Sequence, residues 1–171
     1  MGYETVKTNP GVSRIAQQNT ATCWLAACKM LYVWNGKDAA EVDRLLKEAS
    51  KTDERVDYDY WSSYGIGHDD LVPLARTLGF KWGAGGKLDI DQIVKEVRKG
   101  PLLAVGAWNT YSHVIVVWGA ENVTDKEKQD TAKLTIANPW PTTDDPDIKN
   151  LYWFNGGLGH WEGINGQYMH W

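Results

Sequence analysis

The sequence contains no apolar run long enough to cross a membrane and no concentration of basic residues. A membrane-spanning helix needs roughly 20 mostly apolar residues, and no stretch of even about 18 occurs here. The formal net charge is −4 at pH 7, and the lysines and arginines are scattered among acidic residues. Nucleic-acid-binding domains usually carry a basic stripe. We therefore expect neither a membrane nor a nucleic acid as partner.

A secretory signal is also lacking, and cysteine is scarce. The start Met1-Gly2-Tyr3-Glu4 does not have the basic residues and apolar segment of a signal peptide. The two cysteines, Cys23 and Cys28, fall in one predicted helix and point about 140° apart, a poor geometry for a disulfide. They lack the Cys-x-x-Cys spacing of a zinc or redox site. We therefore predict no metal and no cofactor, a reducing compartment, and Cys28 as a small buried apolar residue.

Tryptophan, by contrast, is abundant, with ten residues in a chain of 171. Aromatic side chains bury large areas, so packing in the core and around a groove is the favoured interpretation. A sugar-stacking surface is less favoured, because the tryptophans are spread along the chain without a repeat.

The pattern along the chain changes from helical to extended after Gly100-Pro101, which indicates an α+β fold. No repeat, low-complexity tract or linker interrupts the sequence. We therefore predict a single domain over residues 1–171, in which a helical amino-terminal part packs on a carboxy-terminal antiparallel sheet. The predicted helices are Cys23–Trp34, one through Ala49 with Asp38 and Glu41 as a capping pair, one that begins at His68 or Asp69 and ends before Gly79, and Asp89–Lys99. The predicted extended segments are a polar lead-in at 3–22, strands at Leu102–Trp108, His113–Trp118 and Lys133–Ala137, and weaker strand candidates at Leu151–Phe154 and from Trp161 onward; residues 50–67 are predicted as a loop.

The segment Gln17-Gln18-Asn19-Thr20-Ala21-Thr22-Cys23-Trp24 carries the strongest chemical signal. Cys23 opens an apolar helix, and the positive end of a helix lowers the pKa of a thiol, whose ionised form is the nucleophile. Gln17 lies six residues earlier, and its amide can donate to the oxyanion that forms when sulfur attacks a carbonyl. The segment therefore predicts acyl-transfer chemistry, for which the rest of the chain must supply a histidine and a group to orient it.

His113 and Asn138 are the candidates for those two parts. His113 begins the most apolar predicted strand, and Asn138-Pro139-Trp140 closes the next, so antiparallel pairing can bring them together. An asparagine carbonyl can accept from one imidazole nitrogen and leave the other facing the sulfur, with Trp140 shielding that hydrogen bond from water. Taken singly, Cys23 is more often a packed thiol, His113 a core histidine and Asn138 a turn residue. Taken together with Gln17 and Trp24, they favour a catalytic site.

This order resembles that of papain-like cysteine peptidases, in which glutamine, a six-residue step, cysteine and tryptophan precede a histidine on a strand and a later asparagine. The likeness is greatest to compact bacterial members, the double-glycine peptidases of ABC exporters that process bacteriocins and related effector or toxin peptidases. In that compact group the third residue is usually aspartate, whereas Asn138 matches papain. The likeness covers roughly residues 14–140 and includes Gly67–Leu78, Gly100-Pro101-Leu102-Leu103 and His113–Gly119.

The resemblance implies a role for each matched residue. Cys23 would be the nucleophile, and His113 the base and then the acid that protonates the leaving amine. Asn138 would orient the imidazole, and Gln17 would form the oxyanion hole with the backbone amide of Cys23. Gln18 is one residue too close for the family spacing and ranks second for that role. The groove would lie between the helical part and the sheet.

Other polar residues have simpler interpretations. His68 could be a metal ligand or an alternative base, but no second histidine lies at ligand spacing, so a helix entry is favoured. His160 and His170 fall in the glycine- and tryptophan-rich tail and are expected to pack or to face solvent. An acidic loop could flank the groove or contact an inhibitor protein, but a solvated face is the favoured interpretation. The acidic residues of this loop are Asp53, Glu54, Asp57 and Asp59.

Three classes of function remain open from the sequence. The leading one is a peptidase acting on a protein substrate, and the resemblance with no visible prodomain or exporter segment favours a bacterial toxin or effector. Such a domain would be delivered by a specialised secretion system into a reducing cytosol and would have a cognate immunity or inhibitor protein. The resemblance also suggests cleavage after paired glycines, which a crowded site would explain. The other classes are a Cys-His deamidase, transglutaminase-like enzyme or cell-wall amidase, and a non-catalytic tryptophan-rich binding module on an inactive peptidase fold.

Overall fold

Helices packed on an antiparallel sheet make up the computed structural model, which describes residues 3–84, 87–108, 111–123, 130–140, 147–156 and 164–171. The fold class is α+β, as predicted. The helices are α1 (Cys23–Trp34), α2 (Ala40–Ala49), α3 (Tyr58–Tyr64), α4 (Leu71–Leu78), α5 (Ile90–Val97) and α6 (Leu151–Phe154). The strands are β1 (Tyr3–Lys7), β2 (Lys81–Ala84), β3 (Leu102–Trp108), β4 (Tyr111–Val123), β5 (Lys133–Ala137), β6 (Asp147–Asn150) and β7 (Ile164–His170).

The seven-stranded sheet runs in the order β2-β7-β3-β4-β5-β6, and β1 pairs with β4. Pairing of β3 with β4 sets Gly106 opposite His113. Pairing of β4 with β5 sets Val116 opposite Ala137. Because the strands are antiparallel, the chain that leaves β5 after Ala137 runs toward the level of His113. The sheet register therefore brings the two candidate residues of these strands to the same place.

Alternating residues of the central strands build two apolar clusters on opposite faces of the sheet, as the two-residue period of a strand requires. Leu103, Val114 and Val116 face the cluster that contains α1. Ile115 and Val117 face the cluster that contains α5 and α6. Helix α1 is buried on nearly all sides, because the sheet covers one face and α2 and α4 contribute apolar residues to the same cluster. The helix that begins with Cys23 is thus fixed against the strand that carries His113.

Two predicted elements are wrong because short helices replace them. The predicted loop at 50–67 contains α3, whose first turn is capped by the Asp57 side chain accepting from the backbone N–H of Tyr60. The predicted strand Leu151–Phe154 is helix α6, where the Asn150 side chain accepts from the N–H of Trp153. In both cases one capping side chain accepts a hydrogen bond from the first turn. This bond favours the helical conformation although the residue types of the segment otherwise prefer strands.

Smaller differences concern element ends and edge strands. Asp38 does not form a capping box with Glu41; its carboxylate accepts from the N–H of Ala40, and α2 starts at Ala40. Helix α4 begins at Leu71, later than predicted, and ends before Gly79, which takes the left-handed conformation expected of a helix stop. The lead-in contains β1, and β2 was not predicted. The strand predicted from Trp161 is β7, and Trp161 itself lies outside the described residues.

Candidate active site

The turn before α1 positions Cys23 at the first residue of the helix. The hydroxyl of Thr22 accepts from the backbone N–H groups of Gln18 and Asn19, both at 3.1 Å. The Asn19 side chain accepts from the N–H of Ala21 at 2.8 Å. These bonds close the chain reversal that leads into the helix, which explains why short polar residues fill this segment. Cys23 is 8% exposed.

The thiol of Cys23 is held in its neutral form by burial. Desolvation raises its pKa, while hydrogen bonds from the backbone of Val114, Trp24 and Cys23 itself partly lower it. The net direction is opposite to the expectation from the helix terminus, because removal of water from the sulfur outweighs the helix amides.

His113 and Asn138 are in direct contact. The Nε2 nitrogen of His113 lies 2.8 Å from the Oδ1 oxygen of Asn138. The same oxygen accepts from the backbone N–H of Trp140 at 3.0 Å. A carboxamide oxygen can only accept, so Nε2 carries the hydrogen and Nδ1 is left as the basic nitrogen. Burial lowers the pKa of His113, and the bond to Asn138 offsets part of that effect.

Cys23 and His113 line the same cavity, of about 640 Å³, between the helical part and the sheet. Its apolar lining residues include Trp24, Leu71 and Val105. No lysine, arginine, aspartate or glutamate side chain is among its described lining residues, so the ionisable groups of its described lining are the Cys23 thiol, the imidazoles of His68 and His113, and the Tyr64 phenol. The remaining lining residues are Thr20, Ala21, Tyr64, Gly65, Ile66, Gly67, His68, Gly106, Ala107, Ser112 and Val114.

Gln17 lies beside the turn that follows Asn138 in the folded chain, but it is not among the described residues that line the cavity. Its backbone N–H donates to the carbonyl of Pro139 at 2.9 Å. Its side-chain Nε2 donates to the carbonyl of Asn19 at 2.8 Å, and its Oε1 atom is buried without a hydrogen-bond partner among the described residues. One of the two Nε2 hydrogens is therefore used locally. Gln18 is exposed.

Trp140 covers the imidazole only from one side. Its ring packs edge-on against that of His113, with 6.4 Å between centroids and an interplanar angle of 78°. The side chain is 41% exposed. The predicted shielding of the bond between His113 and Asn138 is thus provided by Trp140 in part, and burial of the imidazole supplies the rest.

The remaining candidates lie apart from the contact between His113 and Asn138. His68 is exposed in the turn before α4 and forms part of the cavity wall. His170 is buried, with Nδ1 2.8 Å from the carbonyl oxygen of Trp171. His160 lies outside the described residues. Cys28 is fully buried with a raised pKa, which agrees with its predicted packing role, and both cysteines are free.

Two negative findings apply to the described part of the chain. Within the ranges given above, no three histidine, cysteine or acidic side chains cluster in a way that could hold a metal ion. No helix in those ranges combines the length and apolar character needed to cross a membrane.

Sequence reasoning missed the segment Tyr64–His68 as part of the cavity lining and the backbone N–H of Trp140 as a donor to Asn138. Gly65 has a φ of +90°, a conformation that favours glycine. The spacing Gly65-Ile66-Gly67 was therefore the one available signal that the backbone makes a special turn there. Backbone donors leave no signal in side-chain identity.

Comparisons with known proteins identify the family of the chain and show proteins that share its fold. The sequence matches the family described as papain-like cysteine protease AvrRpt2 over residues 6–156. A search of curated proteins found no match. Similar solved structures include the peptidase domain of Streptococcus ComA, a bifunctional ABC transporter involved in quorum sensing, with 18% identity, a TM-score of 0.50, and coverage of 91% of this chain and 93% of that one.

Two further structures share the fold. A double glycine motif protease from an AMS/PCAT transporter, solved with the leader peptide, has 14% identity and a TM-score of 0.50 over 98% of this chain and 96% of that one. UfSP from C. elegans has 13% identity and a TM-score of 0.55, over 97% of this chain and 33% of that one. These low identities concern the fold alone, whereas the family match extends over most of the sequence. The chain belongs to the family of papain-like cysteine proteases described by AvrRpt2, and it is therefore a hydrolase of the cysteine peptidase class.

Proposed function

We propose that the protein hydrolyses a peptide bond in a protein substrate with Cys23, His113 and Asn138 as its catalytic triad. One observation carries this proposal: Cys23 and His113 line one cavity, while Asn138 binds the far nitrogen of the imidazole at 2.8 Å. That bond leaves Nδ1 of His113 to act on the sulfur. The triad order matches that of papain, which has asparagine in third place.

The chemistry begins with a neutral thiol and a neutral imidazole. As the Cys23 sulfur attacks the substrate carbonyl carbon, its proton passes to Nδ1 of His113. The tetrahedral intermediate collapses when His113 returns this proton to the leaving amine, and a thioester remains on Cys23. Water then attacks the thioester with His113 as base, and the acid product leaves as the thiol is restored.

We propose that Gln17 and the backbone N–H of Cys23 stabilise the oxyanion. The Gln17 amide has two hydrogens on Nε2, of which one is used by the carbonyl of Asn19. The second is available for the oxyanion once substrate occupies the site. Donors aimed at this charge act strongly where water is excluded, and Gln17 is 8% exposed.

We propose that the substrate carries a pair of glycines at the cleavage site, and this motif is the first to be tested. The similarity to a double glycine motif protease supports it. The size of the cavity does not by itself restrict the substrate to glycine, because small residues such as Ala21, Gly65 and Gly106 line a volume of about 640 Å³. Peptides in which each glycine is replaced in turn by alanine or leucine will decide whether both positions are restricted.

We also propose that the protein acts as a bacterial effector or toxin in a reducing cytosol, reaches it through a specialised secretion system, and is controlled by a cognate immunity protein. This proposal rests on the resemblance to bacterial effector peptidases. Two free cysteines in the described fold suit a reducing compartment. Expression of the wild type and of Cys23→Ala in a bacterial cytosol tests it, because only the wild type should be toxic.

The decisive experiment compares a proteome treated with the wild type, with Cys23→Ala and with Cys28→Ala. New protein amino termini, detected by mass spectrometry, should appear with the wild type and Cys28→Ala and be absent with Cys23→Ala. A deamidase, transglutaminase-like enzyme or amidase would modify targets without new protein amino termini. Absence of new termini with the wild type, across peptide and proteome substrates, would contradict the peptidase proposal.

A further inference from the structure

The turn that carries Asn138 is held in place by the amino-terminal lead-in. The peptide group between Pro139 and Trp140 makes a hydrogen bond on each side. Its carbonyl accepts from the N–H of Gln17 at 2.9 Å, and its N–H donates to Oδ1 of Asn138 at 3.0 Å. In a trans peptide these two groups point in opposite directions. One rigid plane therefore connects the backbone of the lead-in to the carboxamide of Asn138.

A second bond from the same lead-in fixes the next carbonyl. The Nη1 atom of Arg14 donates to the carbonyl oxygen of Trp140 at 2.9 Å. Hydrogen bonds from an ionised donor are stronger than neutral ones. Consecutive carbonyls, of Pro139 and Trp140, are thus held by Gln17 and Arg14. Rotation of the turn about its own backbone would have to break both bonds.

The position of this turn matters because Oδ1 of Asn138 has two donors, the Trp140 N–H and the Nε2–H of His113. A shift of the Trp140 backbone removes one donor and releases the carboxamide to rotate. The imidazole would then lose the partner that holds its ring plane and its tautomer.

We propose that Arg14 is a positioning residue of the peptidase, which acts through the turn at 138–140 to keep Asn138 oriented toward His113. This inference rests on the proposed function of the triad. It adds to that function a residue outside the cavity wall, 126 positions before its acceptor in sequence.

The expected effect of Arg14→Ala is a fall in kcat of roughly three- to tenfold with little change in KM, because one charge-assisted hydrogen bond is lost away from the substrate. The bond from Asn138 raises the pKa of His113. Weakening it moves the acid limb of the profile of kcat/KM toward lower pH. Arg14→Lys keeps a charged donor and should recover part of kcat. Arg55→Ala, which removes an exposed arginine paired with Asp53 instead, should leave kcat and the pH profile unchanged.

The experiment measures Arg14→Ala, Asn138→Ala and the double variant, with rates normalised to the fraction of folded protein, determined by circular dichroism, so that unfolded protein does not count. If Arg14 acts through Asn138, then Arg14→Ala has no further effect on kcat in the Asn138→Ala background. Losses that multiply in the double variant would overturn the inference.

A second readout does not depend on activity. NMR titration of the His113 imidazole should show a lower pKa and a less uniform tautomer in Arg14→Ala than in the wild type, and the wild-type values should return in part with Arg14→Lys. An unchanged His113 titration in Arg14→Ala would overturn the inference. If the wild type cleaves no peptide, the proposed function fails, while this titration still decides whether Arg14 positions the pair.

Discussion

The Nε2 nitrogen of His113 lies 2.8 Å from Oδ1 of Asn138, and this contact determines which imidazole nitrogen would be available as the proposed base. The oxygen also accepts from a backbone N–H at 3.0 Å, so the oxygen of the carboxamide, and not its nitrogen, must face the ring. Nε2 is then the protonated nitrogen, and Nδ1 is free to receive a proton. The sheet register that sets Val116 opposite Ala137 is what brings these residues together.

Replacement of the proposed nucleophile gives the first prediction. Cys23→Ala should abolish cleavage while the melting temperature changes little, because alanine is tolerated at the start of a helix. In the wild type, iodoacetamide should modify Cys23, which lines the cavity, and leave Cys28, which is 0% exposed. The site of labelling is read by peptide mass spectrometry.

Cys28→Ala is the matched control for this experiment. It leaves a small cavity in the core and should lower the free energy of unfolding by about 1 kcal/mol, with kcat/KM retained. Equal labelling of the two cysteines under native conditions would argue that Cys23 has no special reactivity.

The second prediction concerns Asn138. Asn138→Ala removes the partner of His113 and should lower kcat by roughly tenfold or more with KM nearly unchanged, since the lost contact lies on the imidazole and not on the substrate. Steady-state kinetics on a cleaved peptide measure it. Asn155→Ala serves as a control asparagine, because its side chain donates to the carbonyl of Leu88. A large rise in KM with kcat intact would instead indicate that Asn138 contacts substrate.

Much of this fold could be predicted because local signals agree with the tertiary structure. Strands β3 and β5 have the predicted bounds, and α1 begins at Cys23 as predicted. Helix α5 has a reciprocal cap, in which Asp89 accepts from the N–H of Gln92 at 2.7 Å and the Gln92 side chain accepts from the N–H of Asp89 at 2.9 Å. This cap reinforces the apolar stripe from which the helix was predicted, whereas the caps of α3 and α6 did not suffice to predict those helices.

The rest depends on contacts between distant residues. Helix α6 has strand-favouring residues, and only the Asn150 cap and the burial of Leu151 and Phe154 explain its conformation. Strand β1 exists because its residues pair with the far end of β4, as in the match of Val6 with Ala120. No local pattern encodes such pairing.

The same distinction applies to the candidate site. Cys23, His113 and Asn138 were predicted as a catalytic set from the resemblance to a family pattern, and their catalytic roles stay a prediction. The structure places His113 in contact with Asn138 and brings Cys23 and His113 to one cavity. The upward shift of the Cys23 pKa was not predicted, because it depends on how deeply the folded chain buries the sulfur. The hydrogen bonds of Arg14 and of the Trp140 N–H belong to a turn that only the folded chain shows.

The third prediction separates the two neighbouring glutamines. Gln17→Ala should lower kcat by about 10²-fold, the loss typical of one oxyanion donor, and leave KM nearly unchanged. Gln18→Ala, at an exposed side chain one position later, should have little effect. Kinetics on the same peptide decide between them. A loss with Gln18→Ala that exceeds the loss with Gln17→Ala would assign the oxyanion role to Gln18.

The last prediction is the pH dependence. Burial places the pKa of His113 below its usual value near 6.5. If the neutral imidazole is the base, as proposed, kcat/KM should hold as pH falls through 6.5 and decline only at lower pH. The free energy of unfolding should also fall at low pH. A histidine whose pKa is depressed in the folded state stabilises the fold above its unfolded pKa, and this contribution is lost as pH falls through the folded pKa. Asn138→Asp sets a carboxylate beside Nε2, which raises the pKa of His113 and should move the acid limb to higher pH. Profiles of kcat/KM, measured with a substrate that has no titratable side chain, test both. A wild-type acid limb above 6.5, or one that Asn138→Asp leaves unmoved, would show that a group other than His113 controls the reaction.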